Sequence, residues 1–523
     1  MNKIFFGMKY CYRILPIIGF LFFLHTNSAA QKIGELDLDK LDNYLEEARI
    51  AWQVPGLSIA IVKDDSVVFA RGYGHKESGK EGMVDENTIF SIASITKGFT
   101  STALAMLADE GKIFWDDQVR TYLPDFSLYD PWVSKEITIR DLLCHRSGLK
   151  TFSGDLLWFE TDYSRDELLR RVQFLEPSYS FRYNFGYSNL MYLAAGEIIP
   201  VVSEMSWDKY IDTKLLQPLG MNRTYLKYSD LEMDPNFAMP HHVNLLDKET
   251  YVLPYWNLDN IAPAFAINSC AMDMSRWIRF QLRMGLWDDE QLVSMENLWE
   301  TRKMHTARPV EMGDSRFWPS RHFNGYGLGW DIYDYHGWKV VGHEGGTDGM
   351  LSRLVMVPEE NFGYVILTNS MSALTIGLEY FILDQYYQGK SYDWSAIYLE
   401  NSNMGLVQQK SDWEEYLESA DRSLKPSKKL KEYQGIYGGD LYGDLEVSLH
   451  KGSLVLDFLP APGLIGDLES FSADTFLIRM RDKPALPLGT VKFLLDERGE
   501  VSELVIDIPS PDFDFTELKL NKR

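Results

Sequence analysis

The stretch Thr88-Ile89-Phe90-Ser91-Ile92-Ala93-Ser94-Ile95-Thr96-Lys97 joins a short extended segment to the start of a helix. A helix is predicted over 96–110, because apolar residues recur there at helical spacing and Gly111 follows as a stop. Ser94 therefore lies at a helix N-terminus. Lys97 lies three residues later, one turn along the same face and within reach of the Ser94 hydroxyl.

This arrangement can activate a nucleophile. A serine hydroxyl is weakly nucleophilic and needs an adjacent base, and a lysine becomes a base when desolvation lowers its pKa. The apolar neighbours of Ser94 favour such burial, and a helix N-terminus disfavours an ammonium group. The tetrad from Ser94 to Lys97 alone fits equally well a helix-capping serine followed by a solvated lysine.

The segments on either side predict a mixed sheet-and-helix domain. An amphipathic helix over 36–53 precedes a β-hairpin, the region 116–290 is mostly helical, and strand patterns return after Tyr326. One mainly antiparallel sheet containing both strand regions, flanked by helices and carrying a helical subdomain, buries these faces, which is an α/β (α+β) fold. The predicted strands are 56–62, 66–71, 327–333, 339–343, 351–357 and 364–368, and the further helices are 138–144, 165–174, 189–199, 271–282 and 376–387.

The chain divides into four parts. Residues 1–30 carry a basic start, an apolar run over 14–24 and small residues before Gln31, which is typical of a secretory signal peptide and too short to span a bilayer. Residues 31–390 form the predicted mixed sheet-and-helix domain and 391–428 a polar linker. Regularly spaced short strands over 429–523 predict a small β-barrel or sandwich.

Charge narrows the classes of partner. Removal of residues 1–30 leaves 49 basic and 76 acidic residues, a net charge of −27, with no basic stripe to attract phosphates. We therefore expect no nucleic-acid partner. The signal peptide predicts a periplasmic or secreted protein with no membrane span after cleavage. Nothing in the sequence specifies an oligomeric state. Cys144 and Cys270 could form a disulfide or serve as small buried apolar side chains.

A second candidate motif is Tyr187-Ser188-Asn189. A tyrosine near a cationic lysine can be held partly as phenolate and relay protons to a leaving group. Asn189 offers both an amide donor and an acceptor to a substrate amide. Taken alone, the motif also fits a buried tyrosine followed by an ordinary helix-start asparagine.

A third candidate motif is His343-Glu344-Gly345-Gly346, at the end of a strand-like run. Glycines there let a strand edge approach a ligand, and the N–H of Gly346 could complete an oxyanion hole with the N–H of Ser94. The alternative is a simple Gly-Gly turn. A metalloprotease His-Glu-x-x-His motif does not fit, because Thr347 occupies the position of the second metal ligand.

The three motifs, in this order and spacing, resemble the class C β-lactamase and penicillin-binding-protein superfamily of serine hydrolases. The resemblance covers about 36–390. It implies an acyl-enzyme at Ser94, proton transfer by Lys97 and Tyr187, substrate contacts from Asn189, His343 and Gly345, and no metal or cofactor. Supporting phrases are Leu142-Leu143-Cys144-His145-Arg146-Ser147-Gly148-Leu149, Pro218-Leu219-Gly220-Met221, Tyr326-Gly327-Leu328-Gly329-Trp330 and Leu367-Thr368-Asn369. The C-terminal part, with Tyr433-Gln434-Gly435-Ile436-Tyr437, resembles the lipocalin-like domain often appended to these hydrolases, and we expect it to shape or cover the cleft.

Two departures from the family pattern point away from antibiotic hydrolysis. His343 stands where penicillin-recognising members have a lysine, and neutral imidazole attracts a carboxylate less than an ammonium does. Phe265 and Ala266 stand where two glycines are common, which predicts a narrower pocket. The leading hypothesis is a metal-independent hydrolase of small esters or peptide-like amides, with D-residue substrates among the candidates. The alternatives are a DD-peptidase or weak β-lactamase acting on cell-wall material, and a noncatalytic penicillin-sensing or binding protein.

Overall fold

The computed structural model describes residues 36–312, 320–387 and 392–523. The predicted signal peptide lies outside these ranges. Across them, no helix has the length and apolar character that crossing a bilayer requires.

An antiparallel sheet of eight strands forms the frame of the larger domain, as predicted. The strands follow the order β2 (Ser66–Gly74), β1 (Gly56–Lys63), β14 (Phe362–Thr368), β13 (Met350–Val357), β12 (Trp338–Thr347), β11 (Asp331–Tyr335), β10 (Asn324–Tyr326) and β9 (Thr306–Arg308). The first hairpin of the chain therefore joins strands from its second half. Central strands such as β14 are buried along their whole length, which explains their continuous apolar runs. Six short strands form separate two-stranded pairs outside this sheet: β3 (Ile89–Ser91) with β6 (Asn268–Cys270), β4 (His241–Asn244) with β5 (Glu249–Val252), and β7 (Leu286–Trp287) with β8 (Glu290–Gln291).

Helices cover both faces of the sheet. On one face, a core forms with the first helix and the helix after β14. On the other, the core continues through the helical subdomain that is inserted between β2 and β9. The helices are α1 (Leu38–Ala51), α2 (Thr96–Asp109), α3 (Pro131–Glu136), α4 (Ile139–Leu143), α5 (Arg165–Arg171), α6 (Asn189–Ser203), α7 (Trp207–Ile211), α8 (Gln217–Leu219), α9 (Tyr228–Leu231), α10 (Ala262–Phe265), α11 (Ala271–Leu282), α12 (Met295–Thr301), α13 (Leu374–Tyr387) and α14 (Trp394–Ser419).

One strand prediction was wrong in detail, and the structure shows a helix within the predicted linker. The run 327–333 is not one strand, because a turn at Gly329 separates β10 from β11. Gly329 has φ +86°, and a Cβ there would lie 2.8 Å from the Lys97 carbonyl oxygen, so the turn packs closely on α2. Within the predicted linker, α14 runs for 26 residues. Its first turn is anchored on α13 by a 2.6 Å hydrogen bond from the Trp394 indole to Asp384, while the remainder is largely exposed and polar.

The C-terminal part is a closed antiparallel barrel of eight strands, which confirms the barrel alternative over the sandwich. Large apolar side chains fill its interior. The strands are β15 (Gly435–Gly439), β16 (Gly443–His450), β17 (Ser453–Phe458), β18 (Ile465–Ser472), β19 (Thr475–Met480), β20 (Gly489–Leu495), β21 (Val501–Asp507) and β22 (Leu520–Lys522).

The barrel docks on the helical subdomain through polar and aromatic contacts. The Tyr163 hydroxyl donates to the Tyr442 carbonyl (2.6 Å), and the Gly154 N–H donates to the Glu517 carboxylate (2.8 Å). Its 508–514 loop, between β21 and β22, reaches the mouth of the cleft described below.

Cys144 and Cys270 are both buried free thiols, so the disulfide alternative is excluded. Burial raises the pKa of the Cys144 thiol to about 11, which leaves it protonated and unreactive at neutral pH.

Candidate active site

Ser94 sits in a tight turn between the sheet and the helical subdomain, as the motif spacing predicted. The turn is a 3₁₀ helix over Ala93–Ile95 that leads directly into α2. Ala93 has φ +43°, a left-handed conformation that a residue with a Cβ adopts at a cost of about 1–3 kcal/mol. The fold holds this strained turn so that the Ser94 side chain, only 6% exposed, faces a cavity.

Lys97 is fully buried directly beside the nucleophile. Its Nζ lies 3.0 Å from Ser94 Oγ, 2.7 Å from Asn189 Oδ1 and 3.1 Å from the Ala264 carbonyl oxygen. Burial lowers the pKa of Lys97 well below its ordinary value, against a smaller opposing effect of the Asp155 charge. The amine is therefore available as a base, which the solvated-lysine alternative does not allow.

Tyr187 is the second motif residue at the site. Its ring lies 4.7 Å from Lys97 Nζ, and it lines the same cavity as Ser94. Burial raises the pKa of Tyr187 well above its ordinary value, and a hydrogen bond with Ser94 offsets this only in part. This differs from the expected partial phenolate. The neutral phenol can still pass a proton on, because its hydroxyl is both donor and acceptor.

Asn189 links Lys97 to a residue that sequence reasoning missed. Its carbonyl accepts from Lys97, while its amide nitrogen donates to Asp155 Oδ2 at 2.7 Å. Asp155 is 2% exposed, and burial raises its pKa to about 7. No motif surrounds Asp155 in the sequence, so its position beside Asn189 and Lys97 becomes visible only in the folded chain.

His343 lies on β12 as a neutral side chain. Its Nε2 is 2.8 Å from the Tyr326 hydroxyl and its Nδ1 is 2.5 Å from the Glu344 carbonyl oxygen. Burial lowers the pKa of His343 to about 4, so the ring carries no charge at neutral pH. This agrees with the expectation that His343 would be a poor carboxylate receptor.

Gly345 and Gly346 occupy different surroundings on β12. A Cβ on Gly345 would lie 2.0 Å from the Ile92 carbonyl oxygen and 3.0 Å from the Ser94 nitrogen, so β12 contacts the nucleophile turn at this point. Gly346 lines the same cavity as Ser94. The simple-turn alternative is wrong, because both residues lie within the ladder between β12 and β13.

The motif residues enclose a cavity of about 290 Å³. Ser94, Tyr187, Asn189, His343 and Gly346 line it, whereas Lys97 and Gly345 lie directly behind. Aromatic rings narrow it, and two residues of the barrel loop complete the wall. The charged and large aromatic side chains on the rest of the wall include Asp155, Trp158, Trp256, Phe265, Arg308, Asp331, Glu344, Asp348, Asp512 and Phe513.

Arg308, the cationic side chain that lines the cavity, is already paired with a carboxylate. Arg308 lies 2.6 Å from Asp331, and its guanidinium stacks over the Phe185 ring. Glu344 pairs with Arg353, which also binds Glu379 at 2.7 Å. Within the described part of the chain, no cluster of three or more His, Cys, Asp or Glu side chains is placed to hold a metal ion.

Comparisons with known proteins match both parts of the chain. Residues 41–386 match the Beta-lactamase family, and residues 419–522 match a domain of unknown function, DUF3471. The second match begins at the last residue of α14, so it covers the barrel and the segment leading into it.

Two sequence relatives and one protein of similar fold show how far the likeness extends. An unguisins hydrolase from Aspergillus violaceofuscus is 27% identical over 77% of this chain and 75% of its own length. The flp protein of Staphylococcus aureus is 29% identical, over 66% of this chain and 64% of its own. In fold, the octameric penicillin-binding protein homologue from Pyrococcus abyssi is similar with a TM-score of 0.57 and 24% identity, covering 93% of this chain and all of that one.

Proposed function

Because this chain belongs to the Beta-lactamase family of serine hydrolases, we propose that it hydrolyses small esters or peptide-like amides, D-residue amides included, through an acyl-serine at Ser94. The observation that carries the proposal is the 3.0 Å contact between Lys97 Nζ and Ser94 Oγ, at a fully buried lysine whose pKa is lowered by burial. A base at hydrogen-bonding distance is what a serine nucleophile needs.

Acylation follows from the positions of three groups. The neutral amine of Lys97 takes the proton as Ser94 Oγ attacks the substrate carbonyl. The carbonyl oxygen gains negative charge, which the N–H groups of Ser94 and Gly346 would stabilise as an oxyanion hole. The Tyr187 hydroxyl, as a neutral phenol, passes a proton to the leaving group.

Deacylation uses the same groups in reverse. Water enters the cavity, loses a proton to the Lys97 and Tyr187 pair, and attacks the acyl carbonyl. The bond between the acyl carbon and Ser94 Oγ then breaks, and Ser94 Oγ takes that proton back from the pair. Asn189 holds Lys97 in place through its carbonyl, and Asp155 holds Asn189 through its amide. Asn189 thus acts here mainly as a positioning residue and secondarily as a substrate contact.

The charge of the cavity disfavours anionic β-lactams. His343 is neutral and Arg308 is paired with Asp331, so a substrate carboxylate meets no free cation among the lining residues. Phe265, whose ring lies 4.7 Å from Lys97 Nζ, further narrows the space. We therefore place esterase or peptidase activity ahead of β-lactamase or DD-peptidase activity. A noncatalytic binding role fits poorly with an intact nucleophile and base.

We also propose that the protein is exported, on the basis of residues 1–30. The test is N-terminal sequencing of the protein recovered from the periplasm or medium of an expressing cell. A mature start at Gln31 is expected. Retention of an uncleaved chain in the cytoplasm contradicts the proposal.

The decisive experiment for activity compares wild type with Ser94→Ala. Both proteins are incubated with a fluorophosphonate, a fluorescent penicillin, and p-nitrophenyl esters and D-aminoacyl amides. We expect wild type to be labelled by the fluorophosphonate and to turn over esters or amides, with neither activity in Ser94→Ala. Stable penicillin labelling with little ester turnover would instead favour the cell-wall alternative, and no labelling or turnover by wild type would favour the binding role.

A further inference from the structure

Three carboxylates on the cavity wall lack a cationic partner. Asp155, Asp348 and Asp512 all line the cavity, and none of them forms an ion pair with another described residue. In this they differ from Asp331 and Glu344 on the same wall, each of which is paired with an arginine.

Asp155 has an unsatisfied oxygen. Its Oδ2 accepts from Asn189, but Oδ1 is buried and has no hydrogen-bond partner in the ranges that the structure describes. The Trp158 indole lies close enough to lower the pKa of Asp155 somewhat, yet its N–H is also without a partner in hydrogen-bonding geometry. A buried acceptor left unpaired typically costs about 1–3 kcal/mol, so this oxygen favours a ligand that brings a donor.

Asp512 acts electrostatically on each of the other two acids. The negative charge of Asp512 adds to burial in raising the pKa of both Asp155 and Asp348, each to about 7. Lys483 is the cation that most favours ionised Asp348, but it pairs with Glu160 instead. A positive charge placed among the three would relieve this repulsion.

Aromatic rings surround the same space. Trp158, Trp256, Phe265 and Phe513 line the cavity, and the Phe513 ring lies 5.8 Å from Trp158. Ring faces attract organic cations, most strongly when water is excluded. Carboxylates combined with aromatic faces are suited to a large, weakly hydrated cation. A chelated metal ion does not fit, since the described acids are too dispersed to form a metal site.

We propose that the cavity selects substrates that carry an ammonium group, recognised by Asp155, Asp348 and Asp512 within the aromatic wall. This rests on the acyl-serine function proposed above and specifies its substrate class. Asp512 and Phe513 come from the barrel, so the C-terminal domain contributes directly to selection. The ammonium could be the free α-amino group of an aminoacyl substrate or a quaternary group farther along the acyl chain, and the test separates the two.

The test uses pairs of p-nitrophenyl esters that differ only in charge. For a permanent cation, the 4-(trimethylammonio)butyryl ester is compared with its carbon isostere, the 5,5-dimethylhexanoyl ester. For the α-ammonium, the D- and L-alanyl esters are compared with the isobutyryl ester. Each kcat/KM is divided by the rate of spontaneous hydrolysis of that ester, which removes differences in intrinsic reactivity.

We expect the charged member of at least one pair to have a kcat/KM roughly tenfold higher or more, equivalent to about 1.4 kcal/mol. The pair that shows the preference identifies the source of the ammonium. In Asp512→Asn and Asp348→Asn the ratio should fall several-fold towards one. Glu497→Gln is the matched control: it removes a charge from the exposed turn after β20, at the far end of β21 from the 508–514 loop, and should keep the wild-type ratio.

Each result bears on the proposal. Wild-type turnover of neutral esters with a charged-to-neutral ratio of one or less overturns the ammonium proposal and leaves the serine hydrolase function intact. A high ratio that survives both aspartate substitutions overturns the assignment to these acids. Absence of all turnover together with absence of fluorophosphonate labelling contradicts the hydrolase function itself. Thermal unfolding checks each variant, and the two aspartates lie in different domains, so one unstable variant does not remove the test.

Discussion

At the scale of single residues, the proposed reaction depends most on Lys97. Its Nζ is fully buried and contacts Ser94 Oγ, so we expect Lys97→Met to lose about 10²–10⁴-fold in the rate of acylation. Lys97→Arg should lose as much, because a guanidinium does not give up its proton in proteins. The measurement is the rate of fluorophosphonate labelling at Ser94.

A second lysine provides the control for the loss of a buried amine. Burial also lowers the pKa of Lys339, whose Nζ donates to the Arg302 carbonyl away from the cavity. Lys339→Met should therefore change stability but label at nearly the wild-type rate per folded molecule. Labelling of Lys97→Met within tenfold of wild type would show that another group is the base.

The sequence identified these residues only as far as local spacing allows. Ser94 and Lys97 are three residues apart, so helical geometry alone brings them together. Tyr187 and His343 could be assigned only from the family resemblance. Asp155 has no motif around it, because its role depends on a contact with Asn189 that is 34 residues distant in the chain.

At the scale of elements, strand β12 positions the nucleophile turn. A Cβ on Gly345 would overlap the Ile92 carbonyl oxygen at 2.0 Å, so Gly345→Ala must move β12 or the turn. A displacement of about 1 Å in a catalytic group costs on the order of 10²-fold in rate, and we expect a loss of that size in kcat for esters with secondary structure retained. Steady-state kinetics and circular dichroism measure the two effects.

The matched control is Gly405→Ala in the exposed part of α14. No atom lies within 4 Å of a Cβ built there, and alanine is favoured over glycine in a helix by about 1 kcal/mol. This variant should be slightly more stable than wild type and fully active. A Gly345→Ala enzyme with unchanged kcat would refute the role assigned to the contact between β12 and the turn.

Element prediction from sequence succeeded where periodicity was strong. Helix α11 has the predicted bounds, Ala271–Leu282, because one of its faces is continuously apolar. Helix α14 escaped prediction because most of its surface is exposed and polar. The side chains that do pack, such as Trp394 and Tyr416, are too scattered to form a continuous apolar face. The turn at Gly329 was missed because the aromatic and aliphatic residues beside it have the composition of a strand.

At the scale of the whole molecule, we expect the barrel to limit the size of the substrate. Phe513 is 4% exposed, lies 4.2 Å from the Phe159 ring and closes one side of the cavity. Phe513→Ala should enlarge the cavity and raise kcat/KM for bulky acyl esters relative to acetate, at a cost of about 3–5 kcal/mol in stability. The ratio of kcat/KM for p-nitrophenyl octanoate to that for the acetate reports the effect.

Phe476, a barrel residue that does not line the cavity, provides the control that distinguishes selection by substrate size from loss of stability. Phe476 packs against Phe493 inside the barrel and does not line the cavity. Phe476→Ala should lose comparable stability and keep the wild-type ratio between the two esters. An unchanged ratio in Phe513→Ala would remove the barrel from substrate selection by size.

The junction between the two domains should also respond to pH. Asp348 belongs to the hydrolase domain and faces Asp512 of the barrel, with Lys483 and Glu160 as the other charged groups near it. The pKa of Asp348 is raised from 3.8 to about 7 in the folded chain, chiefly by burial. Its contribution to stability is therefore fully present below pH 3.8 and is lost as the pH rises through about 7.

The amide side chain introduced by Asp348→Asn cannot titrate. The melting temperature of the variant should therefore rise relative to that of wild type from pH 5 to pH 8. The shift corresponds to a change on the order of 2–4 kcal/mol in the free energy of unfolding. Asp467→Asn, which removes an exposed pair with Arg481, should change the melting temperature little at either pH. If the difference in melting temperature between Asp348→Asn and wild type is constant with pH, Asp348 remains ionised over this range. The negative charges that meet at the junction would then be compensated by other groups of the folded chain.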